Sequence, residues 1–122
     1  MQVITTTLKS IPKLTARAQE VFNRYIRNRD KDKGCISCPT GQVEHAGHYR
    51  SAGHYGGLRF NEMNVNGQCC HCNTFLHGNL INYRNGLVRR YGEQRVLLLE
   101  SIRNPIKKWS RFELEAIINE YK

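Results

Sequence analysis

A chain of 122 residues suits one compact domain and leaves no room for a second core. Nineteen Lys and Arg stand against ten Asp and Glu, a formal charge of +9; this points to a polyanionic partner, since each phosphate contact releases condensed counterions, with a merely solvated basic surface as the plainer alternative. No run reaches the roughly 18–20 apolar residues that cross a bilayer, and the Thr-rich start lacks the apolar core and cleavage site of a secretory signal.

The first predicted element is a helix over residues 12–30. Leu14, Ala18, Phe22, Tyr25, Ile26 and Arg29 recur at steps of three and four, so one side faces a core. Arg17, Arg24, Arg27 and Lys31 occupy much of the remainder, a stripe suited to a phosphate backbone or to solvent. From 33 to 68 the helical period disappears and Gly, Asn and Ser become dense. Inside a compact domain such a stretch implies that something functional holds it.

After Cys72 the period returns. Leu80, Tyr83, Leu87 and Tyr91 form a stripe that Gly92 is placed to end. Residues 93–103 predict a short helix carrying Val96, Leu99 and Ile102, and Pro105 breaks the pattern. Ser110 followed by Glu113 is a capping-box signal for a last helix, with Leu114, Ile117, Ile118 and Tyr121 on its apolar side. There is no internal repeat and no low-complexity tract.

The aperiodic stretch begins and ends beside cysteines. Cys35-Ile-Ser-Cys38 and Cys69-Cys-His-Cys72 are two C-x-x-C pairs. Each spacing lets two thiolates of one turn reach the same ion, with Zn–S near roughly 2.3 Å, and two such knuckles complete a tetrahedron. The absence of a secretory signal implies a reducing cytoplasm, where five cysteines suit metal better than disulfides. No βαβ pattern accompanies Cys35, which excludes a thioredoxin-like reading. Cys70 is expected to be a small packing residue and His71 a surface or helix-start residue. The segment between the knuckles, 39–68, exceeds the roughly 15–20 residues of a simple zinc ribbon, so it reads as a functional insertion pinned at both ends.

That insertion holds Glu44-His45-Ala46-Gly47-His48-Tyr49-Arg50, then Asn61 and Asn64; Asn73 and His77 follow it. A histidine on a short strand, an asparagine in the next loop, and Asn or His at a helix start is the order of an HNH site. Phosphodiester hydrolysis needs a base for water, a divalent ion for the leaving oxygen and cationic donors for the developing charge. An imidazole with an intrinsic pKa of about 6.5 is a suitable base.

Several short motifs in order carry a family likeness: Cys35-Ile-Ser-Cys, Ala46-Gly-His-Tyr-Arg, Leu58-Arg-Phe-Asn-Glu-x-Asn, Gly67-Gln-Cys-x-x-Cys-Asn and His77-Gly-Asn-Leu. Together they resemble the NinG (Rap) recombination nucleases of lambdoid phages and prophages, over about residues 16–118 and densely from 27 to 92. The resemblance implies a structure-specific endonuclease acting on branched intermediates such as D-loops and Holliday junctions, in the bacterial host cytoplasm. It also implies that the basic, Cys-containing N-terminal region of longer members is missing here.

Within that frame His48 is the expected general base, and Asn64 either holds the His48 ring or its strand, or forms a turn. Asn73 and His77, four apart, would share one helix face and a catalytic Mg²⁺ or Mn²⁺. HNH sites usually carry Asp or His immediately before the base, but Gly47 stands there. His45 is the substitute metal ligand, or else a hairpin surface residue; three apart on a strand, His45 and His48 point to opposite faces. Arg50 is placed to clamp the scissile phosphate. Arg17, Arg24, Arg27, Arg59 and Arg84 are DNA-binding candidates. His54 and Tyr55, in the Gly-rich loop 53–57, either approach DNA or form a surface loop. Asn79 is expected to cap or pair locally.

The expected fold class is α+β: a mainly helical small domain around a zinc-knuckle-stabilised ββα-metal (HNH) motif. Residues 1–122 form one domain, with 1–11 flexible or extended, 12–31 the N-terminal helix, 33–80 the knuckles and ββα-metal core, and 80–122 the C-terminal helices. The expected cofactors are structural Zn²⁺ and catalytic Mg²⁺ or Mn²⁺. The expected partner is branched DNA, without membrane and with a homodimer as the simplest way to cut a junction symmetrically. The C-terminal helices either supply that dimer interface or complete the monomer core. The competing readings are a non-catalytic zinc-binding protein that binds DNA or a recombination partner, and an RNA-directed HNH nuclease.

Overall fold

The computed structural model describes residues 8–103 and 106–122. Most of the expectation for 1–11, and that for Pro105, lie outside them. The first helix, α1 (Ile11–Asp30), starts at Ser10, whose hydroxyl accepts from the Lys13 N–H at 3.4 Å. It buries Leu14, Ala18, Val21, Phe22 and Ile26 along one side. The aperiodic insertion yields two four-residue strands, β1 (His45–His48) and β2 (Val65–Gln68), joined by a loop with one 3-10 turn (Gly56–Leu58). The strands are antiparallel, with His45 opposite Gln68 and His48 opposite Val65. A single π-helical turn (His71–Phe75) follows, then α2 (Leu80–Tyr91), α3 (Glu93–Ser101) and α4 (Arg111–Tyr121). The capping box expected at Ser110 and Glu113 is present at α4.

The hairpin stands between two apolar clusters. On one side Leu14, Ala18, Phe22 and Ile26 of α1 meet Phe60, Val65 and Leu114, and Phe22 lies edge-on to both Phe60 and Tyr121. Ile117, Ile118 and Tyr121 pack there too, so the apolar side of α4 completes the monomer core. On the other side Tyr83 and Leu87 of α2 and Val96 and Leu99 of α3 close over Ile36, Tyr49 and Leu58.

Asp30, the last residue of α1, ties these parts together. It is fully buried and accepts from Arg29 at 2.8 and 2.9 Å and from the Gly67 N–H of β2 at 2.8 Å, with Arg90 of α2 at 3.5 Å. Burial opposes its ionisation, but the bonds from Arg29 and Gly67 outweigh that and hold the carboxyl below its ordinary range.

Three apolar-stripe expectations need correction. Arg29 does not face an apolar core but spends its guanidinium on Asp30 and the Val65 carbonyl. Leu80 is 48% exposed, because the first turn of α2 adjoins the polar knuckle rather than apolar side chains. Ile102 is also 40% exposed: α3 ends at Ser101, and the extended backbone beyond no longer aims a side chain by the helical period. The result is a small helix-dominated domain with a two-stranded sheet and a cysteine cluster.

Candidate functional site

The cysteine cluster forms where the two aperiodic ends meet. The sulfurs of Cys35, Cys38, Cys69 and Cys72 all lie within 4.8 Å of one another, so they can hold a metal ion such as zinc. Four sulfurs about 2.3 Å from a central ion sit about 3.8 Å apart; Cys38 and Cys69 are separated by 3.7 Å. Backbone amides already point at the sulfurs, Ser37 N–H to Cys35 and Cys72 N–H to Cys69, both at 3.4 Å. Gly41 packs directly on the cluster, where a Cβ would come within 2.8 Å of Cys38 Sγ. Burial pushes the Cys35 thiol up and the Cys72 thiol up to about 12. A metal must therefore displace protons to bind, which makes its affinity rise with pH. Cys70 stands outside the cluster, its N–H donating to Glu44 Oε1, and exposed His71 opens the π-helical turn.

From the knuckles the hairpin projects two faces. Strand alternation puts Ala46 and His48 on the α1 side and His45 and Gly47 on the side of the π-helical turn. His48 Nε2 lies 3.0 Å from the Arg59 carbonyl. A carbonyl only accepts, so Nε2 carries the proton and Nδ1 carries the lone pair. Burial pushes the His48 pKa below its ordinary value, against the opposing effect of that carbonyl. The ring is thus held neutral in one tautomer.

Asn64 holds the strand rather than the ring. Fully buried, it accepts from Arg50 N–H at 2.8 Å and donates to the carbonyls of Arg50 and Leu58 at 3.0 and 3.1 Å. It fixes both ends of the loop that carries Arg59 past His48. Asn61 makes the turn, accepting from the N–H groups of Met63 and Asn64. Arg50 stacks between two tyrosines, its guanidinium carbon 5.1 Å from the Tyr49 ring centre and 5.4 Å from that of Tyr55. Exposed His54 bonds to the Ser51 hydroxyl in the same loop.

On the other face Asn73 Nδ2 donates to His45 Nδ1 at 3.0 Å, joining the π-helical turn to β1. His77 does not join them as a helix neighbour. The helix ends at Phe75, and His77, Gly78 and Asn79 all take positive φ values of 51°, 93° and 45°. The chain reverses there, leaving His77 exposed and the four-residue spacing without its helical meaning. Asn79 heads α2 and reaches Cys72 Sγ and the Ser37 carbonyl, both at 3.5 Å.

Of the candidate arginines, Arg24 is exposed, Arg27 is half-buried, and Arg17 pairs with Glu20 at 2.9 Å. Arg84 is otherwise engaged: it grips Glu100 through Nε at 2.9 Å and Nη2 at 3.1 Å, which clamps α2 to α3. Arg59 lines a cleft of about 500 Å³ with Lys107, Lys108 and Trp109. The two lysines and buried Gln68 escape sequence reasoning. Lys107 and Lys108 lie far from the motifs in the chain, and Gln68 gains its place only from strand register. Among the described residues no helix is long and apolar enough to cross a membrane.

A family model described as Bacteriophage Lambda NinG protein matches residues 2–122. Protein ninG of Escherichia phage lambda is 43% identical over 108 residues, covering 87% of this chain and 52% of that protein. The ninG proteins of Escherichia phage 933W and Salmonella phage P22 are each 41% identical over 108 residues, covering 87% of this chain and 53% of theirs. The chain thus spans about half the length of these relatives. No solved structure matches it.

Proposed function

This chain belongs to the NinG family of lambdoid phages, and on that footing we propose that it is a metal-dependent DNA endonuclease of the HNH type. The observation that carries the reading is the fixed tautomer of His48, with Nε2–H spent on the Arg59 carbonyl and a lone pair left on Nδ1. In the proposed reaction Nδ1 takes a proton from water, the water oxygen attacks phosphorus, and the bond to the leaving sugar oxygen breaks. The charge of Arg59 acts on the His48 ring, and Arg59 shares a cleft with Lys107 and Lys108. Arg24 and Arg27 offer further backbone contacts.

Bound Mg²⁺ or Mn²⁺ would stabilise the charge developing on the leaving oxygen. Asn73 would hold it through Oδ1, with His45 fixing the carboxamide from behind. The fit rests on the missing side chain at Gly47: a Cβ there would come 3.0 Å from Asn73 Oδ1, and the carboxamide oxygen of Gln68 takes its place, 1.7 Å from the Cβ position. Amide oxygens suit these hard ions, whereas the thiolates select zinc. The preference for D-loops and four-way junctions follows from the family likeness. A homodimer would use exposed apolar side chains such as Leu97 and Leu98, since Leu114, Ile117, Ile118 and Tyr121 of α4 are committed to the core.

One observation favours a non-catalytic zinc module that binds DNA. Among the described residues, the four cysteines are the one group of three or more His, Cys, Asp or Glu side chains able to share an ion, and no carboxylate cluster of that size stands by for the second metal. Incubating the protein with a four-way junction, a D-loop, linear duplex and RNA, with and without Mg²⁺ or Mn²⁺, separates the readings. Metal-dependent cutting confined to branched DNA supports the proposal. Junction binding without any cutting would establish the non-catalytic module, and cutting of RNA alone would move the activity to another substrate.

A further inference from the structure

Gln68 is fully buried at the end of β2, facing His45 across the hairpin. Its side-chain NH₂ is fully used: Nε2 donates to the Ser37 hydroxyl and to the Gly78 carbonyl, each at 2.8 Å. Because the Gly78 carbonyl can only accept, the amide cannot be turned over, and Oε1 must point the other way. There it has no hydrogen-bond partner. A Cβ built on Gly47 would lie 1.7 Å from this oxygen and 3.0 Å from Asn73 Oδ1. The Gln68 oxygen therefore stands where a Gly47 Cβ would be, with Asn73 Oδ1 beside it, and the Asn73 NH₂ is already turned to His45.

We propose that Gln68 Oε1 and Asn73 Oδ1 together form the oxygen half of a divalent-cation site over Gly47, so that Gln68 replaces, from the opposite strand, the ligand that Gly47 does not carry. The assignment rests on the nuclease reading for the cation's role but not for its binding. A buried acceptor without a donor is rare in folded proteins and calls for an explanation; a hard cation supplies one, since Mg²⁺ and Mn²⁺ take oxygen ligands. It also accounts for glycine at 47. Any larger residue there would collide with the carboxamide that enters from β2. Neutral amide oxygens attract a cation less than carboxylates do, so the site is expected to be weak and to fill fully alongside the DNA phosphate.

The test is direct on the intact, zinc-loaded, ¹⁵N-labelled protein. Substoichiometric Mn²⁺ is expected to broaden the Gly47 amide and the side-chain NH₂ signals of Gln68 and Asn73 before any others. Gln68→Met should weaken Mn²⁺ binding at least tenfold, read by electron paramagnetic resonance of free Mn²⁺, with zinc retained. Asn73→Asp, which keeps an oxygen in place and leaves the His45 ring free to donate to it, should bind at least as tightly as the parent. Broadening centred elsewhere, or none, would overturn the assignment; Asn73 would then be turned over to donate to Gln68 Oε1 and close the space. If the protein cuts DNA with Mn²⁺ while Gln68→Met binds Mn²⁺ as well as the parent, the ligand assignment fails and the nuclease reading stands. If Gln68-dependent binding is found without DNA cleavage, the reverse holds.

Discussion

On the α1 side of the hairpin Val65 and Ala46 meet Phe22 and Ile26 in an apolar layer, whereas on the α2 side Asn66 and Gln68, equally buried, meet polar partners. The apolar layer is held by contact area and shape, and it tolerates adjustment. The amide layer is held by directed bonds. Asn66 alone donates to the Met63 carbonyl and the Tyr83 hydroxyl and accepts from Arg29 and the Tyr91 hydroxyl. Tyr83 in turn donates to the Gly47 carbonyl at 2.7 Å. A core of this second kind adds little net stability per bond, yet it fixes atoms in place. The difference teaches that the Gly47 face of the hairpin is aimed by directed bonds, while the face that carries His48 beside Val65 is held by packing.

The largest disturbance should come from the knuckles, which carry the amide layer through Ser37, Asn79 and the turn at 77–79. Stripping metal with a chelator, or replacing Cys72 by Ala, is expected to abolish cooperative unfolding. Structural zinc contributes roughly 10 kcal/mol or more in small zinc domains, beyond what this fold can spare. A metal assay should find one zinc per chain, and unchanged circular dichroism after its removal would contradict the arrangement. Next in size is Asp30→Asn, which leaves Arg29 and Arg90 facing a neutral amide. A loss of about 3–5 kcal/mol is expected in denaturant unfolding, as for other broken buried ion pairs.

A matched pair sharpens the contrast between the faces. Val65→Ala should lower stability by about 2 kcal/mol through lost burial and a small cavity, with Mn²⁺ binding over Gly47 unchanged. Asn66→Ala should cost a similar amount, about 1–3 kcal/mol, by stranding the polar groups it satisfies. In contrast to Val65→Ala, it should weaken Mn²⁺ binding over Gly47 as Tyr83 and β1 shift. Equal effects of the two variants on Mn²⁺ binding would remove the distinction between the faces.

The two layers also differ in how far the sequence reveals them. The steps of three and four in Leu14, Ala18, Phe22 and Ile26 announce a helix face, and the paired C-x-x-C spacings announce the metal centre. Val65-Asn-Gly-Gln68 announces nothing, because a strand whose inward side chains are carboxamides has the composition of a loop. Its role arises from register, which sets Gln68 beside Gly47, and from the left-handed turn that aims the Gly78 carbonyl at it. His77 misleads for the complementary reason: spacing presumes a helix, and the chain leaves the helix two residues earlier.

The smallest expected effect concerns pH. Burial holds the His48 pKa below its ordinary value of about 6.5. Between that value and the lower folded one the unfolded chain binds more protons, so this residue's contribution is present above about pH 6.5 and lost as pH falls through the folded pKa. The acid limb of the cleavage rate should therefore lie below pH 6.5, and His48→Ala should flatten the matching part of the stability profile. A limb centred above pH 6.5 would mean that another group, or a protonated ring, governs the reaction.

The central claim is that one neutral imidazole, held by the Arg59 carbonyl, activates water. Single-turnover cleavage of a four-way junction by His48→Ala, at saturating Mg²⁺ or Mn²⁺ and with junction affinity measured alongside, tests it most directly. The account predicts a rate lowered by about 10²–10⁴ with binding and zinc content unchanged. Cleavage by His48→Ala at the parent rate would contradict it.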